Sequence, residues 1–181
     1  MISRQAIRNV VRDITKLIKT RELGFYYLPG DSGEEYYFKN LGFSFSVEVN
    51  LTFDDTIKQD FIDGSFYHDD DVVEVILVLN PTNLNRNLYN LIGQLNEVIA
   101  HELTHGKQKS RGIPYVKDNS ENSIDYYTKP IEVEAQINGF KRLSKISGVT
   151  YPKVVSKWFE LNQHKHNMTL CDTIKVIKIL N

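Results

Sequence analysis

Cysteine is nearly missing from this chain. Cys171 stands alone, which excludes an intramolecular disulfide and any multi-cysteine metal site and points to a reducing, intracellular setting. An excess of either charge is missing too. The 22 Lys and Arg stand against 23 Asp and Glu, a net charge of −1, so nothing draws the whole molecule to nucleic acid or to an anionic membrane surface. No uninterrupted apolar run approaches the roughly 20 residues of a membrane-spanning helix. The first residues interleave Arg with apolar side chains and no small-residue cleavage site follows, so a secretory leader is not expected. Internal repeats, low-complexity runs and linkers are absent as well. The 181 residues, 41% hydrophobic and 25% charged, have the composition of an ordinary soluble protein with one core. The expectation is a single domain over 1–181.

Histidine is scarce, five in all, yet two fall four apart in His101-Glu102-Leu103-Thr104-His105. Imidazoles at that spacing on a helix lie one above the other on one face and can hold one metal ion. Glu102 is rotated from them by about 100°, within reach of a water at the metal's open position without being a ligand itself. This is the H-E-x-x-H spacing of zinc metallopeptidases, and Zn²⁺ is the expected ion. The competing reading is a solvated helix end with two surface histidines. Against it, Leu84, Leu88, Leu91, Leu95, Val98 and Ile99 repeat with helical spacing after the turn cluster Asn80-Pro81-Thr82-Asn83. They predict a helix over about 84–108, capped by Thr82, Asn83 or Asn85 and bracketed by Gly106 and Gly112. The β-branched run Val72 to Leu79 predicts a strand just before it.

These residues resemble a family. The chain is similar to the zincins, the H-E-x-x-H metallopeptidases, and within them to the gluzincins, whose third zinc ligand is a Glu on a later helix. The metzincin continuation H-E-x-x-H-x-x-G-x-x-H is excluded, because Gln108 and Arg111 stand where its Gly and third His belong. Downstream, Tyr127 to Gln136 carries two carboxylates, Glu132 and Glu134, with Pro130 suited to the first turn of a helix. In gluzincin-like families a small residue often follows the ligand three positions on and a polar one four positions on. Glu132 with Ala135 and Gln136 fits that pattern, and Glu134 with Ile137 and Asn138 fits it less well. Two apart on a helix, the carboxylates point about 200° from each other, so one alone faces the metal. Glu132 is taken as the ligand with Glu134 as the alternative, and Gln136 as a partner for a histidine's other ring nitrogen. Similar H-E-L-x-H and P-x-E-x-E-A pairings occur in small metallopeptidases of phages and mobile elements. The resemblance covers 84–140 and implies a peptide or protein substrate and a cytoplasmic or virion-associated location.

Elsewhere the sequence reads as scaffold. Residues 2–22 form an amphipathic helix with Ile7, Val10, Val11, Ile14, Leu17 and Ile18 on one face and Arg4, Arg8, Arg12 and Lys16 on the other. That basic face is either a solvated surface or a contact for lipid headgroups, nucleic acid or an acidic partner, and such a start also resembles an organellar transit peptide. Phe43, Phe45, Val47, Val49 and Leu51 alternate with polar residues as a half-buried strand, after a shorter one at Tyr36-Tyr37-Phe38. Ile57 to Phe61 is ambiguous, Gly64 breaks it, and Phe66-Tyr67 opens another short strand. His68 to Asp71 reads as a hairpin turn rather than a calcium or second-metal site, since it lacks the spaced oxygens and Gly of a calcium loop. Residues 108–128 read as a loop overhanging the site, in which Tyr115, Tyr126 and Tyr127 are candidate donors to a developing oxyanion, Tyr127 being the one assigned. Helices are expected at 130–147, about 152–164 and about 169–180. His164 and His166 are expected at the surface and Cys171 in the core.

The expected fold is therefore α+β and zincin-like: a small mixed or antiparallel sheet on the H-E-x-x-H helix, closed by C-terminal helices, with substrate added along the 72–79 strand as a sheet edge. His101, His105 and Glu132 would leave Zn²⁺ one open position for water, and Glu102 would be the general base for peptide hydrolysis. Two alternatives stand beside this: a structural or inhibitory metal-binding module without turnover, and a binder of nucleic acid or an acidic partner through the first helix. The oligomeric state is not legible.

Overall fold

The computed structural model describes residues 3–21, 23–29, 35–38, 41–114, 123–162 and 168–180. The expectations for Tyr115, His164 and His166 lie outside these residues. The elements run α1 (Arg4–Thr20), β1 (Gly24–Leu28), β2 (Tyr36–Tyr37), β3 (Ser44–Phe53), β4 (Phe61–Tyr67), β5 (Val72–Leu79), α2 (Leu84–Ser110), α3 (Ser123–Thr128), α4 (Pro130–Ser147), α5 (Tyr151–Asn162) and α6 (Leu170–Leu180). The class is α+β, with a mixed sheet. Its strand order is β1-β3-β5-β4, with β2 paired to the start of β3. β5 runs parallel to β3, and the other pairings are antiparallel.

This topology corrects the place given to the 72–79 strand. β5 is central, with β3 on one side and β4 on the other, and β4 is the edge. The pattern explains it: Val73, Val75, Leu77 and Leu79 are wholly buried and the residues between them are half-buried, as in an interior strand. Gly64 does not break β4 either. It sits inside a continuous strand where α2 comes so close that a Cβ would stand 2.5 Å from Val98 Cγ1 and 3.1 Å from Glu102 Cγ. A glycine in a strand here marks the approach of another element rather than a stop.

One face of the sheet buries Phe45, Val47, Val49 and Leu51 of β3 against α1 and α2. α1 supplies Ile7, Val10, Val11, Ile14 and Ile18, and Ser3 caps its start by accepting from the Ala6 N–H. The turn before α2 is organised by Asn80, whose Oδ1 accepts from the Thr82 N–H and hydroxyl while its Nδ2 donates to the Ile57 carbonyl. Asn83 is the N-cap but makes no side-chain cap bond. A second cluster gathers Tyr127, Phe140, Val154, Val155, Phe159, Val176 and Leu180 from α3 to α6. α3 is an addition to the expected loop. α6 buries Thr173, Val176 and Leu180, leaving Ile174 45% exposed and Cys171 at the surface rather than in the core.

Candidate metal centre

α2 passes under β4 and packs along α4. Its periodicity puts Glu97, His101 and His105 on one face at steps of four, and α4 brings Glu132 across from them. The His101 and His105 Nε2 atoms are 3.1 Å apart, and Glu132 Oε2 lies 3.4 Å from the first and 3.5 Å from the second. Tetrahedral ligands about 2.0–2.1 Å from a metal ion stand about 3.4 Å from one another. An ion therefore fits over this triangle with one position left open. Glu132 Oε2 is fully buried without a hydrogen bond of regular geometry, and positive charge between it and the imidazoles, a proton or a metal ion, offsets that cost. Glu102 is also close: among the described residues, the ligand atoms of His101, Glu102 and His105 lie within 4.8 Å of one another. The 68–71 segment is the turn between β4 and β5, and its Asp71 is tied to Lys109 at 2.8 Å.

Close packing at the crossing requires small residues on α4. Ala135 is wholly buried, and a Cβ on Gly139 would stand 3.1 Å from the Glu97 carbonyl oxygen. Glu134 points elsewhere: its carboxylate takes Arg111 Nη1 at 2.9 Å and Gln108 Nε2 at 3.1 Å.

Gln108 fixes the state of His105. Its Nε2 donates to the Ile131 carbonyl at 2.9 Å as well as to Glu134, so its Oε1 is the atom that faces His105 Nδ1 at 3.0 Å. That ring nitrogen carries the hydrogen, and Nε2 presents its lone pair to the site. Gln136, expected in this part, is elsewhere: its buried Oε1 has no hydrogen-bond partner.

The electrostatics follow from burial against pairing. Burial pulls the His101 pKa down, but the carboxylates of Glu102, Glu132 and Glu97 outweigh it and hold the imidazole at about 9 in the metal-free chain. Burial pushes Glu132 up, and the two histidines outweigh it and hold the carboxyl well below its usual range. Glu102 is raised by burial, against the pull of both histidines. Its Oε1 lies 4.0 Å from His101 Nε2, in the gap under β4 that Gly64 leaves open.

The two tyrosines of α3 differ. The Tyr127 ring is buried between Tyr126, Trp158 and Phe159, with centroids at 5.1, 6.0 and 5.5 Å. Burial raises the Tyr126 hydroxyl, and the Glu132 and Glu102 carboxylates add to it; burial raises the Tyr127 hydroxyl too, with Glu97 and Glu132 adding to it. Both tyrosines line the cleft beside the carboxylates, Tyr127 with its ring in the aromatic cluster. Sequence reasoning also passed over Glu97, whose signal was its place four residues before His101. From the centre a cleft of about 1030 Å³ runs between β4, α2, α4 and α5. Among the described residues no helix is long and apolar enough to cross a membrane. No family model, curated protein or solved structure matches this chain.

Proposed function

We propose that the chain is a zinc-dependent peptidase of zincin type, with His101, His105 and Glu132 as metal ligands and Glu102 as general base. The observation that carries this reading is the near-equilateral triangle of two imidazole nitrogens and one unsatisfied carboxylate oxygen. A bound Zn²⁺ would supply Lewis acidity, polarising a carbonyl and bringing the pKa of water towards about 7. Glu102 takes the proton of the attacking water and returns it to the leaving amine; burial raises its pKa above the usual carboxylate value, which makes it the stronger proton acceptor. Tyr126, beside Glu132, is a hydroxyl available to donate to the developing oxyanion. The outer edge of β4 offers backbone groups to an extended peptide, which would lie over Glu102 where Gly64 leaves no side chain in the way.

The test is paired. Zinc content is measured for the parent and for His101→Ala and His105→Ala, and hydrolysis of a diverse peptide mixture is measured for the parent and Glu102→Gln. The parent should hold about one zinc per chain and lose it with either histidine. Glu102→Gln should keep zinc and lose turnover by at least about 10²-fold. Equal zinc in all three proteins would move the site, and undiminished turnover in Glu102→Gln would remove the mechanism.

A further inference from the structure

One buried acid in the cleft has no task in the mechanism above. Glu97 is 6% exposed, lines the cleft, and has neither a hydrogen bond nor an ion pair with any described residue. Across the α2–α4 crossing lies a second acceptor, and that one is buried without a partner. A Cβ on Gly139 would be 3.3 Å from Glu97 Oε1, and Gln136, three residues before Gly139 on the same face of α4, also lines the cleft with its buried Oε1 unsatisfied. A buried carboxylate and a buried amide oxygen lining one cleft with no donor to either among the described residues are costly, and apart from Glu132 Oε2 and Gln136 Oε1 those residues leave no fully buried side-chain oxygen or nitrogen unsatisfied. A ligand bringing N–H donors and positive charge would satisfy both.

We propose that Glu97 and Gln136 form a subsite for a cationic nitrogen, ammonium or guanidinium, of the peptide that the metal centre cleaves. The proposal rests on the peptidase reading for the word peptide, and on the cleft alone for the cation. Glu97 is one helical turn from His101, about 6 Å along α2. That is about the reach of an extended lysine or arginine side chain attached beside the scissile bond. The wall continues past Glu97 with Leu143, Ile146, Val149 and Trp158, against which an aliphatic stem packs while its charged end meets the carboxylate. The charge balance of the cleft agrees: Asp60, Asp63, Glu97 and Glu102 line it, against Lys157. Asp60 already accepts from the Asn80 N–H, which leaves Glu97 as the deeply buried acid free to receive a ligand. An α-amine one residue from the scissile bond offers the same chemistry as a basic side chain, and the experiment separates the two.

Butylguanidinium and its neutral isostere butylurea are titrated by calorimetry and NMR into zinc-loaded parent, Glu97→Gln and Gln136→Met; a guanidinium stays protonated and does not compete as a metal ligand. The parent should bind the cation at least tenfold more tightly than the urea. Glu97→Gln should erase that preference with zinc content unchanged and melting temperature not lowered, and Gln136→Met should reduce it. Equal binding of the two probes by the parent overturns the proposal without any variant, as does a preference that survives in Glu97→Gln. Peptides then assign the source. Preference for cleavage beside Lys or Arg in N-acetylated peptides identifies a side chain, and a requirement for a free N-terminus identifies the α-amine. Cation binding without any peptide cleavage upholds the subsite and removes the peptidase reading; cleavage indifferent to charge does the reverse.

Discussion

Gln108 turns its oxygen onto Nδ1 of His105 at 3.0 Å because its nitrogen is committed to the Ile131 carbonyl and to Glu134. One amide side chain thus joins α2 to the start of α4 and sets the tautomer of a proposed ligand.

Removing that amide should cost metal affinity without removing a ligand. Gln108→Leu leaves His105 Nδ1 unpartnered and its ring free to turn, so zinc should bind about 10–100-fold more weakly than in the parent. Competition against a zinc chelator measures it. Affinity equal to the parent's would show that ring orientation is set by packing alone.

The third ligand is open to a direct comparison. Glu132→Ala removes the carboxylate that stands 3.4 and 3.5 Å from the two imidazoles, whereas Glu134→Ala removes a partner of Arg111 and Gln108. Zinc affinity should fall by several orders of magnitude in Glu132→Ala and by about tenfold or less in Glu134→Ala, through Gln108. The reverse order would transfer the ligand role to Glu134.

Much of this was legible because it rests on period. The helical spacing from Leu84 to His105, the alternation through Phe45 and Leu51, and Pro130 at the start of α4 gave elements within a few residues of those found. What was not legible depends on which element packs against which. Gly64 looks like a breaker in one dimension and is a contact point in three, since Val98 and Glu102 occupy the volume of its missing side chain. β5 was assigned to the edge because β4 was not read as a continuous strand. Tyr126 and Tyr127 are adjacent in sequence, and only the docking of α3 brings both to the cleft, with Tyr127 the more deeply held in the aromatic cluster. Gln108 was used to exclude a motif, and its bond to His105 one turn back depends on acceptors 23 and 26 residues away that hold its nitrogen.

The close approach at Gly64 has its own consequence. In Gly64→Ala the new methyl would meet Val98 Cγ1 at 2.5 Å and Glu102 Oε1 at 3.3 Å, so α2 must move away from β4 or the strand must bow. Overpacking of this kind costs about 1–3 kcal/mol, and any displacement is delivered directly to Glu102. Chemical denaturation should report that loss, and turnover should fall further than the stability change explains while zinc remains bound. A variant as stable and as active as the parent would mean that the crossing yields easily and that Glu102 does not depend on it.

Proton and metal compete at the same atoms, so pH should act oppositely on the two forms of the protein. In the metal-free chain the carboxylates hold His101 at about 9, above its unfolded value of about 6.5. A raised pKa stabilises the fold fully below the unfolded value and loses that contribution as pH rises through the folded one. His101 therefore makes the metal-free protein less stable from about pH 6.5 to about pH 9. Glu97, raised to about 7 by burial, acts in the same direction over the lower window between about pH 4.5 and 7. Zinc must displace the His101 proton, so its affinity should climb by up to about tenfold per pH unit until that proton is gone. Melting temperatures at pH 6.5, 7.5 and 8.5, with and without chelator-buffered zinc, test both statements together. The metal-free value should fall across the series while the increment due to zinc grows. A zinc increment that stays constant over that range would show that no proton leaves His101 when the metal binds, and that the triangle formed with His105 and Glu132 is not where the metal sits.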